Sequence, residues 1–214
     1  IKKIYCISGL GSDERAFDYI RVEGYELVFL PWLTPQAGET IQAYAARMCL
    51  PIKEDKPVLI GLSFGGMISI EIAKLIETHK VILISSIHSK WQMPGWMRVA
   101  GKLKLNRLIP MRPYKILESV QNKRMGVTTI AEKELVNNYR KNTSQVYIDW
   151  AINQILNWDN EWQPAKLYHI HGDDDKIFPI QKLSPTHTVK AAGHMMIFNR
   201  ATAVNECLKA ITAD

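Results

Sequence analysis

Two kinds of segment alternate along this chain: short continuous apolar runs, and longer stretches in which apolar residues return every three to four positions. Ile4 to Ile7 is the first run, and it ends in the small-residue loop Ser8-Gly9-Leu10-Gly11-Ser12. Asp13 to Tyr19 suits a short helix, Tyr25 to Leu30 a second buried strand, and Pro31 stops that strand's ladder. Glu39 to Leu50 places Ile41, Tyr44, Ala45 and Met48 on one face, as an amphipathic helix does. Val58 to Ile60 and Lys80 to Ser86 read as strands, the latter buried on both faces. Between them Ile68, Ile72, Leu75 and Ile76 recur at helical spacing. Lys166 to Ile170 and Thr186 to Lys190 complete six strands, and Ala201 to Ile211 closes the chain as a helix. Such alternation predicts a parallel, doubly wound α/β sheet with its functional residues at the carboxyl ends of the strands.

The alternation breaks once. From Ile87 to about Asn142 the periodicity is helical only: Trp96, Val99, Ala100 and Leu103 fall at i, i+3, i+4 and i+7, and Tyr114, Leu117 and Val120 follow. Thr129 followed by Glu132 fits a capping box for a third helix. The expectation is a helical cap over residues 88–142, inserted into a core of residues 1–87 and 143–214 and lying over the carboxyl edge of the sheet.

Composition narrows the class. The chain has 214 residues, 47% of them hydrophobic and 22% charged, enough for one domain with a substantial core. Runs such as Val81 to Ile84 fall far short of the ~18 to 20 residues of a membrane-spanning helix. With no signal-peptide pattern in the given chain, a cytoplasmic protein is expected; the start at Ile1, without Met, is compatible with a removed leader or tag. Cys6, Cys49 and Cys207 are widely spaced and read as buried small residues in a reducing compartment, not as a disulfide framework or zinc site. The net charge of +6 is compatible with an acidic substrate, an acidic protein or anionic lipid, and is too mild to imply nucleic acid.

The candidate chemistry centres on Gly61-Leu62-Ser63-Phe64-Gly65, where a strand meets a helix. A serine on such a turn has a strained backbone and a raised, exposed hydroxyl, and the helix N-terminus favours an oxyanion beside it. The hydroxyl needs a base. His194 is the best placed, in a glycine-preceded loop after the last strand; His79, His169, His171 and His187 read as packed or solvated residues. His88 follows the strand after the elbow and is kept as a pocket-lining candidate. For the acid, Asp173, Asp174 and Asp175 compete after the fifth strand. The placement after the Val81 strand offers no carboxylate, only Ser85, Ser86, His88 and Ser89.

Gly61-Leu-Ser-Phe-Gly65, His171-Gly-Asp-Asp-Asp175 with Ile177-Phe-Pro179, and Ala192-Gly-His194 together resemble the α/β-hydrolase superfamily, in its order of serine, acid and histidine. The resemblance spans the chain from Ile4 to Ile87 and from about Thr143 to the end. It implies a six-stranded, parallel sheet of order 2-1-3-4-5-6, without the family's first two strands. It implies Asp175 as the acid, from the last position of HG-x-x-D. It also gives Ser8-Gly9-Leu10-Gly11 the place of the family's HG-x-G loop, so that Leu10 and Phe64 donate backbone N–H groups to an oxyanion; Ser8 stands where the family often has His, and the competing reading is a plain glycine turn. No cofactor or metal is implied.

Trp91, Met93, Trp96 and Met97 fall together where the chain enters the cap. Residues at such spacing read first as core; as a lid over the serine they suit an acyl chain or aromatic ester. Trp150, Trp158 and Trp162 are expected to pack the helix returning to the sheet. From Lys90 to Arg124 nine basic residues stand against one acid, Glu118. That is either a solvated cap surface or a docking face for an anionic carrier protein, a CoA thioester or a membrane surface. The expected function is a cofactor-free serine hydrolase of carboxylic esters or thioesters. The alternatives on the same fold are C–C bond hydrolysis, acyl transfer, lyase chemistry and non-catalytic ligand binding.

Overall fold

The computed structural model describes residues 2–104 and 115–213. Six strands, β1 (Lys2–Ile7), β2 (Tyr25–Phe29), β3 (Val58–Leu62), β4 (Lys80–Ile84), β5 (Leu167–Gly172) and β6 (His187–Val189), form one sheet. Its order is β2-β1-β3-β4-β5-β6, and every neighbouring pair is parallel. Every residue of β3 and β4 is buried, as a parallel sheet covered on both faces requires.

Successive side chains point to opposite faces and so feed two cores. Tyr5, Ile7, Leu59, Val81 and Leu83 pack on one face against α1 (Ile41–Cys49) and α2 (Phe64–Ala73). Ile4, Cys6, Ile60, Ile82, Ile84 and Ile170 pack on the other against Ala16, Phe17 and the C-terminal helix. The register aligns Ile7 with Gly61, Leu62 with Ile84 and Gly172 with Val189, which brings the loops after β1, β3, β4, β5 and β6 to one edge.

Local chemistry trims several predicted elements. The Asp13–Tyr19 helix is a single 3₁₀ turn, Glu14–Phe17, capped by the Asp13 carboxylate accepting from Arg15 N at 3.1 Å. β6 begins at His187 because the Thr186 hydroxyl stands in for the ladder, accepting from His169 N (2.9 Å) and donating to His169 O (3.1 Å). The run after the elbow leaves α2 before Leu75, which is exposed.

Among the described residues between 88 and 142 there are helices but no strand: a short 3₁₀ turn at Lys90–Gln92, then α3 (Gly95–Lys102), α4 (Lys115–Met125) and α5 (Ile130–Asn142). The capping box is present at α5, with Glu132 N donating to Thr129 Oγ1 and Thr129 N donating to the Glu132 carboxylate. α6 (Gln145–Leu156) leads back to the sheet. Tyr114, Arg107, Arg112 and the side chains of Lys115 and Leu117 lie outside the described residues.

α3 is turned away from the face its apolar stripe suggests. Met93 and Met97 point into the core, whereas Trp96, Val99 and Leu103 are exposed. The cause is Gly101, whose Cα passes so close to the Leu156 carbonyl of α6 that any side chain there would collide. The helical segment also grips the sheet edge at two places. Thr143, just after α5, donates to Gly11 O (2.9 Å), and Met195 N donates to Met125 O (3.0 Å) at the end of α4. No helix among the described residues is long and apolar enough to cross a membrane.

Candidate active site

Ser63 sits between the last residue of β3 and the first of α2 with φ 50° and ψ −116°, a conformation costly for any residue with a Cβ. The surroundings hold it there. Ser63 N donates to Ile84 O (2.9 Å), and its carbonyl accepts from Gly66 N (2.9 Å) and Ser86 Oγ (2.5 Å). The flanking glycines are required by close approach. A Cβ on Gly65 would strike the carbonyl oxygens of Ile7 and Ser8, one on Gly61 the backbone of Gly65 and Gly66, and one on Gly66 the Ser86 hydroxyl.

His194 lies between β6 and the short helix α7 (Met196–Asn199). Its Nε2 is 2.9 Å from Ser63 Oγ, and its Nδ1 is 2.8 Å from Asp175 Oδ2. A carboxylate only accepts, so Nδ1 carries the hydrogen and the Nε2 lone pair faces the serine hydroxyl. This tautomer is the one a general base needs. Asp175 is 2% exposed, and its Oδ1 accepts from Ile177 N (2.7 Å) and Phe178 N (3.0 Å). Burial pushes its carboxyl up, but the attraction and hydrogen bond of His194, with lesser help from His171 and the Phe178 amide, outweigh this and hold it below the usual carboxylate range.

Of the three competing carboxylates, only Asp175 touches His194. Asp174 faces solvent and pairs with Lys176, and Asp173 lies 3.5 Å from Lys190. His169 and His171 are both buried in β5 behind Asp175. His171 Nε2 lies 2.8 Å from Phe178 O and 3.4 Å from Asp175 Oδ2, and His169 Nε2 lies 3.0 Å from His171 Nδ1. Burial lowers the pKa of both, that of His169 to about 3, with His171 and His88 adding to the effect.

The loop after β1 is held by its own polar groups. The Gly9 carbonyl accepts from Ser12 N (3.1 Å), Ser12 Oγ (2.9 Å) and Trp32 Nε1 (3.2 Å). In a trans peptide the N–H points opposite the C=O, so clamping the Gly9 carbonyl aims the Leu10 N–H the other way. The same logic applies to the Ser63 carbonyl, whose clamp by Ser86 and Gly66 aims the Phe64 N–H. Neither amide donates to a described residue in the hydrogen bonds of the loops and caps. The Phe64 side chain is core, stacked on Trp32 with ring centroids 5.4 Å apart.

The cap candidates separate. Met93 is buried and His88 half-buried, with His88 Nδ1 enclosed and lacking a hydrogen-bond partner among the described residues. Trp91 and Trp96 are 61% and 58% exposed, each beneath a cation: Lys90 and Arg98 over Trp91, Arg124 over Trp96. Trp150 and Trp158 pack in the core, as expected for the returning helix, and Trp162 is exposed. Sequence reasoning missed Ser86 and Trp32 as clamps, since their partners lie 23 residues away in the chain. A cleft of about 710 Å³ between β2 and the C-terminal helix, lined by Arg21, Tyr25 and Lys209, contains none of these groups.

The whole fold has close structural counterparts. An esterase from Thermogutta terrifontis superposes with a TM-score of 0.74 at 14% identity, covering 98% of this chain and 89% of that one. The chain has the α/β-hydrolase fold. Other α/β-hydrolase structures match as fully: a bromoperoxidase from Bacillus anthracis (TM-score 0.73, 14% identity, 100% and 92% coverage) and an epoxide hydrolase from Bacillus megaterium (0.72, 12%, 100% and 94%). No family model and no curated protein matches the sequence. At these identities the likeness carries the α/β-hydrolase architecture and leaves the reaction to the site.

Proposed function

We propose that this α/β-hydrolase cleaves carboxylic esters or thioesters of small apolar acyl groups through a serine-linked acyl-enzyme. The observation that carries the reading is the continuous hydrogen-bonded line from Ser63 Oγ through His194 to the buried Asp175 carboxylate. In the proposed mechanism Ser63 attacks the carbonyl carbon as His194 Nε2 takes its proton, and Asp175 stabilises the imidazolium that forms. The Leu10 and Phe64 amides receive the oxyanion of the tetrahedral intermediate. His194 then protonates the leaving alcohol or thiol, and a water activated by the same histidine releases the acid.

Residues 88–142 serve as the cap in this reading, with Met93, Met97 and His88 closest to the core side and Trp91 and Trp96 outside. The inward-facing Met93 and Met97 favour an acyl or aromatic group over a sugar. The test is a rate panel of p-nitrophenyl esters of increasing chain length, with an acyl thioester in parallel. Turnover by the wild type that disappears in Ser63→Ala supports the reading. Turnover that survives in Ser63→Ala, or none with any member, refutes it.

A further inference from the structure

Two buried histidines in β5 take no part in the mechanism above, and burying polar rings beside the apolar core has a cost unless their nitrogens are matched. We propose that His171 and His169 form a tautomer-locked relay that positions Asp175. The argument begins at Phe178, whose carbonyl oxygen lies 2.8 Å from His171 Nε2. A carbonyl only accepts, so Nε2 carries the hydrogen and also presents it toward Asp175 Oδ2, 3.4 Å away. With burial keeping His171 neutral, its Nδ1 is then a bare acceptor, matched by a hydrogen on His169 Nε2 at 3.0 Å.

The relay closes a small ring around the acid. Asp175 Oδ1 is tied to the Phe178 amide, the Phe178 carbonyl is tied to His171, and His171 faces the same Asp175 oxygen that holds His194. The turn from Asp175 to Phe178 is thus gripped from behind. The opposite His171 tautomer would set a nitrogen lone pair against both the Phe178 carbonyl and the carboxylate, pushing the turn and its acid away from His194. His169 matches the Nε2–H tautomer of His171 when its own Nε2 carries the hydrogen toward His171 Nδ1, which leaves the buried Nδ1 of His169 without a hydrogen-bond partner among the described residues. The facing groups are His88, Asp175 and His194, and only Asp175 is an anion.

The proposal rests on Asp175 as the acid that orients His194, and the experiment separates the two. The substrate is p-nitrophenyl butyrate. His171→Leu is expected to lower kcat roughly 10- to 100-fold with KM within about twofold, the size of effect that a slightly misplaced catalytic group produces. His171→Gln, whose amide can still donate to Phe178 O, is expected to recover most of that loss. In an Asp175→Asn background, His171→Leu should cost little more, since no carboxylate remains to be aimed. If Asp175→Asn keeps full activity, the triad reading fails. If Asp175→Asn is impaired while His171→Leu matches the wild type, or the two losses simply multiply, only the relay fails. Should His171→Leu not fold, ¹⁵N-histidine NMR of the wild type decides: an Nε2–H, neutral His171 is expected, and an Nδ1–H tautomer or an imidazolium overturns the relay.

Discussion

Acidifying the protein from pH 7.5 to 5.0 should expose how much stability depends on keeping His169 neutral. Its pKa is lowered from 6.5 to about 3 by burial first, then by His171 and His88. The folded state therefore refuses a proton that the unfolded chain accepts, so between these values the unfolded state binds more protons and stability rises with pH. At pH 5.0 the folded form is still unprotonated while the unfolded imidazole is almost fully charged. The difference favours unfolding by a factor of about 30, or about 2 kcal/mol, and nearly vanishes at pH 7.5. That is a large share of the roughly 5 to 15 kcal/mol that holds an ordinary domain together. His171 and His88, also lowered by burial, act in the same direction, whereas Asp175 contributes only at lower pH, as its carboxyl protonates. The assay is urea unfolding followed by tryptophan fluorescence at both pH values, for the wild type and for His169→Gln, which cannot titrate. The wild type should lose about 2 kcal/mol more than the variant over this interval. Equal losses would refute the reasoning.

Three further outcomes follow from the site. Ser86→Ala removes the 2.5 Å hydrogen bond on the Ser63 carbonyl and so frees the Phe64 amide to tilt; kcat should fall roughly tenfold or more with KM little changed, measured on the best ester of the panel. Gly65→Ala should fail to fold or lose several kcal/mol by urea titration, because its Cβ meets two backbone carbonyls, while Gly95→Ala, where the new Cβ meets nothing within 4 Å, should stay within about 0.5 kcal/mol of wild type. If the basic residues Arg98, Lys102, Lys104, Lys123 and Arg124 of the helical segment dock an anionic substrate, kcat/KM for a CoA thioester should fall steeply with added salt while that for a neutral ester holds; parallel profiles exclude docking.

How much of this is legible in the sequence depends on how local each cause is. The six strands are legible because they rest on buried apolar runs, their order follows from the resemblance to the α/β-hydrolase superfamily, and the elbow is legible from the glycines flanking Ser63. Ser63, with φ 50°, is announced by Gly61 and Gly65. Asp175 is harder: three adjacent carboxylates look alike in composition, the resemblance alone points to Asp175, and in the structure the turn buries it and leaves Asp174 on Lys176. The β5 histidines illustrate the limit. Alternation puts His169 and His171 on one face, yet nothing local tells that this face meets the turn carrying Asp175. The helical segment misleads for a similar reason, since Gly101 against Leu156 sets which face of α3 turns inward and leaves Trp96, Val99 and Leu103 outside.

The central claim is that Ser63 is an activated nucleophile. Incubation with a fluorophosphonate probe, followed by intact-mass and peptide analysis, tests it without any knowledge of the substrate. The account predicts a single phosphonyl adduct on Ser63 of the wild type and none on Ser63→Ala. Folded wild-type protein that stays unlabelled, or an adduct that persists in Ser63→Ala, would contradict it.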